Sequence, residues 1–295
     1  MVCPAILHSS CFSGGDPLPI SKLKNLAILV LLLANLALLG LVVPGKVAQK
    51  REDESLRQSL SDLYAQQQVS LDPELVPDTV TLYALELAES PEANLQAASA
   101  LLGEAQLVQD DSNRYLSRYE STSGSCTIDR TGSFQAQISG RKEASDLARD
   151  AQKSLTAMGF QSAGLSEPTR LRAGVFSLTA TQAVLGVPVF SDGLTLTYAN
   201  NCLTHLEGTF YTGDQALTRI SDSACLSAAD ALVRFLSARY DLGWVGSSVT
   251  AMEQGYLRSD TAAAAAVHLT PVWRLQTDTG SFYINGISGE ITAAN

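Results

Sequence analysis

Hydrophobic and polar positions fall into three regimes along this chain. From Leu26 to Val43, LAILVLLLANLALLGLVV, the residues are apolar on every side, 18 in a row without a charge. At about 1.5 Å per residue the run spans roughly 27 Å of hydrocarbon, which predicts a membrane-crossing helix, with its flanks an anchor over 21–45. A secretory signal peptide fits less well, because the run exceeds a usual signal core and the following PGKVAQK lacks an A-x-A-like cleavage site. From Lys46 to Gln68 the pattern turns amphipathic: Leu56, Leu60, Leu63 and Tyr64 recur at helical spacing among charged residues, with no glycine or proline. This predicts a juxtamembrane helical stalk over 46–70. Residues 1–20, with Cys3, Cys11, Gly14, Gly15, Pro17 and Pro19, have no periodicity and are expected to form a disordered tail.

Past residue 70 the two periods alternate. LDPELVP, 71–77, reads as a linker, TVTLYALEL, 79–87, leans towards strand, and an alanine- and leucine-rich helix is expected from Pro91 to Leu107. A strand in 113–121 and a hairpin around Thr131 to Phe134 follow, then a helix with Leu147, Ala151, Leu155 and Met158 on one stripe, closed by Gly159. The second half repeats the theme. Strands are expected over 172–182 and 187–210, turning at Ala199 to Cys202. Ser227 and Asp230 have capping-box spacing for a helix with Ala229, Leu232, Val233, Leu236 and Tyr240 on its apolar side. Strands around 247–258 and 267–277 are separated by Ala262 to Ala266, expected to be loop or strand edge, and lead into a last hairpin. There Trp273 and Leu275 share one face, Phe282 and Ile284 share a face after the turn, and Gly280 is expected to supply positive φ. These four side chains are expected to be structural core. Thr-Gly-Ser-Phe recurs at 131–134 and 279–282, in a hairpin each time, as a duplication would leave it. The fold class is therefore α+β: an N-terminal transmembrane helix, then two antiparallel sheet-and-helix domains, at 71–165 and 166–295.

Composition narrows the function. With 45% hydrophobic residues and a mean hydropathy of +0.08 the chain has a core to bury. Twenty basic against 30 acidic residues give a net charge of −10, and no basic run exceeds a pair, which argues against nucleic-acid binding. Three of the five cysteines, Cys126, Cys202 and Cys225, follow the span, an odd number that implies no full disulfide framework.

Chemistry-bearing motifs are scarce. No H-E-x-x-H, C-x-x-C, G-x-S-x-G or phosphate-binding loop occurs, and the histidines are His8, His205 and His268. Cys202 and His205, three apart on a strand, face opposite sides unless a bulge intervenes, and His205 then shares a face with Leu203 and Glu207. Asp110 and Asp111 lack calcium-loop spacing and read as a solvated turn between helix and strand. No catalytic residue, metal site or cofactor is assigned, and the expectation is a protein that is not an enzyme. Asn35, polar at mid-span, is the candidate for a hydrogen bond to a neighbouring membrane helix.

A family resemblance then appears. Lys22-x-Lys24-Asn25 before an apolar span with a central Asn, a stalk, ALLGEAQ at 100–106 and a tyrosine-bearing strand are similar to the YycI regulatory proteins, as is the closing LTPVWRLQTDTGSFYINGISGEI at 269–291. Asn285-Gly286 departs from the Asn-Ala that often ends this stretch in YycI relatives. The resemblance implies a single-pass cell-membrane protein with a cytoplasmic N-terminus and extracytoplasmic domains. It further implies contact with a WalK-type sensor histidine kinase and a YycH-like partner in a cell-wall two-component system. Lys/Arg counting alone points the other way, with Lys22 and Lys24 before the span and Lys46, Lys50, Arg51 and Arg57 after it, the latter interleaved with Glu52, Asp53 and Glu54. Residues 181–210 also resemble PepSY and protease-propeptide modules through Gln182, Gly186, Pro188, Val189, Phe190 and Gly208. The alternative implied there is an extracellular protease inhibitor or chaperone.

Overall fold

The computed structural model describes Leu31 and residues 51–88, 90–111, 116–129, 131–211, 217–259 and 266–294. Asn35, the tail and the rest of the apolar span lie outside these residues. Among the described residues no helix is long and apolar enough to cross a membrane. The described chain is α+β, and Arg57–Asn295 make up one compact unit.

Residues 51–66 are helical (α1). Gln68 leaves this helix with φ 61°, and Leu71 and Val76 turn back into the core around a 3-10 turn, Pro73–Leu75, capped by Asp72. LDPELVP is thus packed structure and not a free linker, and the last turns of α1, with Leu60 and Tyr64 buried, belong to the folded body. A short strand, β1 (Leu85–Ala88), follows, then α2 (Pro91–Leu102), with Pro91 in its first turn and Ser90 as cap. Gly103, at φ 83°, stops α2 short of the expected end at Leu107. The chain then runs straight into a meander of β2 (Gln106–Asp111), β3 (Leu116–Ser121), β4 (Gly124–Asp129) and β5 (Ser133–Ile138). Asp110 and Asp111 therefore stand in a strand and not in the expected turn.

Asp146 caps α3 (Leu147–Ala157), whose Ala151, Leu155 and Met158 are buried as the spacing requires, and Gly159 follows at φ 80°. Next come β6 (Ser162–Leu165), β7 (Thr169–Arg172), β8 (Val175–Val184), β9 (Val187–Ala199) and β10 (Cys202–Thr209). Asn200 and Asn201, both at positive φ, make the β9–β10 turn. After β11 (Leu217–Arg219), Ser227 caps α4 (Ala228–Ala238). The buried side of α4 is Ala228, Ala231, Leu232, Phe235 and Leu236, while Val233 and Tyr240 are exposed. The buried stripe is rotated from the expected one because Phe235 sets the orientation, its ring 5.1 Å from those of both Trp244 and Phe282. The last four strands are β12 (Val249–Ser259), β13 (Ala266–Thr277), β14 (Gly280–Asn285) and β15 (Ile291–Ala293). Gly280 has the expected positive φ, at 158°, directly after the turn made by Asp278 and Thr279.

The fifteen described strands join in one sheet, whose longest path runs β11-β1-β13-β12-β9-β10-β5-β4-β3-β2. Among them every pairing is antiparallel except that of β9 with β12, which meet in parallel at Tyr256↔Val189. Two cores lie along this sheet. Phe134, Leu155, Leu178, Tyr198, Leu206 and Phe210 belong to one, covered by α2 and α3. Tyr64, Leu87, Leu232, Phe235, Trp273 and Ile284 belong to the other, covered by α4 and the end of α1. Membership of these cores does not divide at 165/166. The faces of β8 to β10 meet α2 and α3 because β10 pairs with β5, whereas β1 pairs with β13 and β11, which returns residues 60–87 to the C-terminal core.

Candidate functional site

A notch opens where β13 changes neighbour. Its Val267 to Leu269 pair with β1, and its Val272 to Thr277 pair with β14. Between them stands Pro271, which has no N–H to offer a ladder, while its carbonyl accepts from the Gly286 N–H at 2.7 Å. Gly286 allows that approach, since a Cβ there would sit 2.2 Å from the Cys225 sulfur and 2.8 Å from the Pro271 oxygen. The fork leaves a cleft of about 200 Å³ on the sheet, with Arg258, Thr270, Tyr283, Asn285, Glu290 and Thr292 among its lining.

Several contacts fix the cleft walls. The Phe190 ring stacks on Tyr283, centroids 5.8 Å apart at 28°, and the Arg274 guanidinium lies 4.2 Å from the Phe190 centroid while pairing with Glu253. Phe190 reaches this position because Gly255 leaves room: a Cβ on Gly255 would meet the ring at 2.5 Å. Arg258 donates to the Thr131 carbonyl at 3.2 Å and stands 3.8 Å from the buried carboxylate of Asp192. Tyr211 donates to the same Thr131 oxygen at 3.0 Å, so the β4–β5 turn is tied to β12 beside the cleft. Tyr211 itself is held by a reciprocal amide pair with Gln182, at 2.9 and 3.1 Å. At the floor's edge the Asn285 Oδ1 accepts from the N–H groups of Ile287 and Ser288, shaping the turn to Glu290.

The residues singled out in the sequence do not line this cleft. Trp273, Leu275, Phe282 and Ile284 are all buried in the larger core on the opposite face, and the Trp273 indole donates to the Leu226 carbonyl at 2.9 Å. Cys202 and His205 differ from their expected placement. The ladder between β9 and β10 slips between Leu203 and His205, leaving Thr204 as the extra residue, so both Leu203 and Leu206 point into the core. His205 therefore faces away from the core, unlike Leu203. It occupies a polar cross-strand row, Ser177, Thr197, His205, Gln137 and Ser125, with Glu207 Oε2 3.5 Å from its Nε2. The thiols of Cys126 and Cys225 are buried, and burial pushes Cys126 up to about 12 and raises Cys225 as well. Among the described residues no group of His, Cys, Asp and Glu is placed to hold a metal ion.

Sequence patterning does not mark Arg258 or Tyr283, and Asn285 stands out there only as a departure from the family pattern. The available signal was Pro271 inside a long alternating strand, a position that marks an edge or an interruption. No protein-family model matches the chain and no curated protein matches it.

Proposed function

We propose that this chain is a membrane-anchored accessory regulator that acts by protein contact on a WalK-type sensor histidine kinase, beside a YycH-like partner. The apolar run 26–43 would be the single-pass anchor, and the α+β body would lie outside the cell. The partner class rests on the YycI resemblance of residues 22–43, 100–106 and 269–291.

One structural observation supports the mode of action. The end of α1 is clamped into the body: the Tyr64 hydroxyl donates to the Leu232 carbonyl at 2.8 Å, and Arg239 donates to the backbone and side chain of Gln67 at 3.2 and 2.9 Å. A displacement of the end of α1 would therefore reach α4 directly, a coupling that a regulator acting by contact could use. Two of the residues that resemble PepSY modules have evident structural uses. Gln182 holds Tyr211, and a Cβ on Gly208 would stand 2.1 Å from the Gly193 oxygen.

Topology is the first test. In a chain freed of native cysteines, a cysteine in place of exposed Lys142 should react with a membrane-impermeant maleimide in intact cells, and one in place of Ser13 should not. The reverse labelling would refute the proposed orientation.

A further inference from the structure

We propose that the notch at the β13 fork binds a single neutral sugar ring, the terminal or internal unit of a saccharide. At about 200 Å³ it lies below the roughly 300 Å³ at which drug-sized sites begin, a size that suits one six-membered ring. Its lining combines a flat apolar platform with scattered, uncommitted hydrogen-bonding groups. Tyr283 supplies the platform, held against rotation by the Phe190 stack. Among the described residues, the hydroxyls of Thr270 and Thr292 and the Glu290 carboxylate make no hydrogen bond within the protein. Asn285 has committed only its oxygen, which leaves its amide N–H groups for a ligand. A pyranose presents the complement: a C–H face for the aromatic ring and a rim of hydroxyls, each both donor and acceptor, for an amide, a carboxylate and threonines.

Charge selects the neutral member of that class. Among the described residues the one cation in the lining, Arg258, already faces the Asp192 carboxylate at 3.8 Å and the Thr131 carbonyl, and Glu290 adds a negative charge to the lining. A phosphorylated or carboxylated sugar would meet net repulsion, on a chain already at −10. The inference does not depend on the kinase proposal, since it concerns one face of the C-terminal sheet and holds whatever the membrane helix contacts.

Saturation-transfer NMR on the full-length chain, kept in a sugar-free detergent, tests it with cellobiose, maltose, N,N′-diacetylchitobiose and, as the anionic control, glucose 6-phosphate. Transfer to ring C–H protons of at least one neutral disaccharide is expected, and none to glucose 6-phosphate. Tyr283→Ala should weaken that binding by about tenfold or more through loss of the platform. The double variant Thr270→Val, Thr292→Val, which keeps shape and removes two hydroxyls, should also weaken it at an unchanged melting temperature, so that misfolding cannot explain the loss. No transfer to any of the three disaccharides, undiminished transfer in both variants, or stronger transfer to glucose 6-phosphate would overturn the proposal.

Discussion

Tyr64 and Leu232 lie 168 residues apart in sequence, yet the phenol of the first donates a 2.8 Å hydrogen bond to the carbonyl of the second, with the tyrosine ring wholly buried. This bond joins the last turns of α1 to the middle of α4. Tyr64→Phe removes a second hydrogen bond to a carbonyl that keeps its place in the α4 ladder and should cost about 0.5–1.5 kcal/mol of stability, whereas Tyr64→Ala should cost about 3–5 kcal/mol through the cavity as well. Urea denaturation of both variants separates the two contributions, and a Tyr64→Phe variant as stable as the parent would mean the hydroxyl contributes nothing.

Trp273→Ala should be among the most damaging single changes, at about 3–5 kcal/mol, because it empties the centre of the larger core and leaves the Leu226 carbonyl unpaired. Trp273→Phe should cost less. An unfolding midpoint that Trp273→Ala leaves unchanged would show that the side chain is not a core anchor.

Glycine positions give a sharper contrast. Gly208, at φ 141°, has the Gly193 oxygen where a Cβ would go, 2.1 Å away, so Gly208→Ala should destabilise by about 2–4 kcal/mol through forced separation of β9 and β10. Gly164 has open space and no positive φ, and Gly164→Ala should be neutral or stabilise by about 0.4–1 kcal/mol. Thermal unfolding of the pair measures both.

Stability should decline at both ends of the pH range, for different reasons. Burial raises Tyr256 from 10.0 to about 12 and Cys126 from 9.0 to about 12, and it raises Tyr64 and Tyr198 too. Groups raised in the fold contribute fully below their ordinary values and lose that contribution as pH climbs through 9 and 10 towards 12. At the acid end, the N–H and hydroxyl of Ser247 donate to the Asp278 carboxylate at 2.8 and 2.9 Å and hold its pKa below the ordinary 3.8. That contribution is present above 3.8 and fades as pH falls below it. Denaturant midpoints across pH should show Asp278→Asn flattening the acid slope and leaving the alkaline slope intact; an unchanged acid slope would remove Asp278 from the explanation.

Local features of this fold were legible in the sequence where a local period or a turn residue governed them. The stripe of α3, the cap at Ser227, the paired asparagines at 200–201 and the final hairpin all follow from spacing within a dozen residues. What escaped was non-local or subtractive. Nothing near Leu85 announces that β1 will pair with Leu269, a pairing that helps return the N-terminal segment to the C-terminal core. The Thr204 bulge reverses the side on which His205 falls, and strict alternation cannot register one extra residue. The cleft arises from what Pro271 and Gly286 lack, an N–H and a side chain, and such absences show only once the neighbouring strands are in place.

The regulatory role turns on whether the anchor carries partner contacts as well as tethering the body. Exchanging residues 26–43 for an unrelated apolar span of equal length, at matched abundance, should preserve insertion but sharply reduce recovery of a WalK-type kinase in quantitative co-purification. Asn35→Leu should reduce it partially, by at most about 2 kcal/mol in association. Kinase recovery that is the same with the native and the exchanged span would contradict a regulatory role for the anchor, and an intact chain that recovers no kinase at all would contradict the proposed partner.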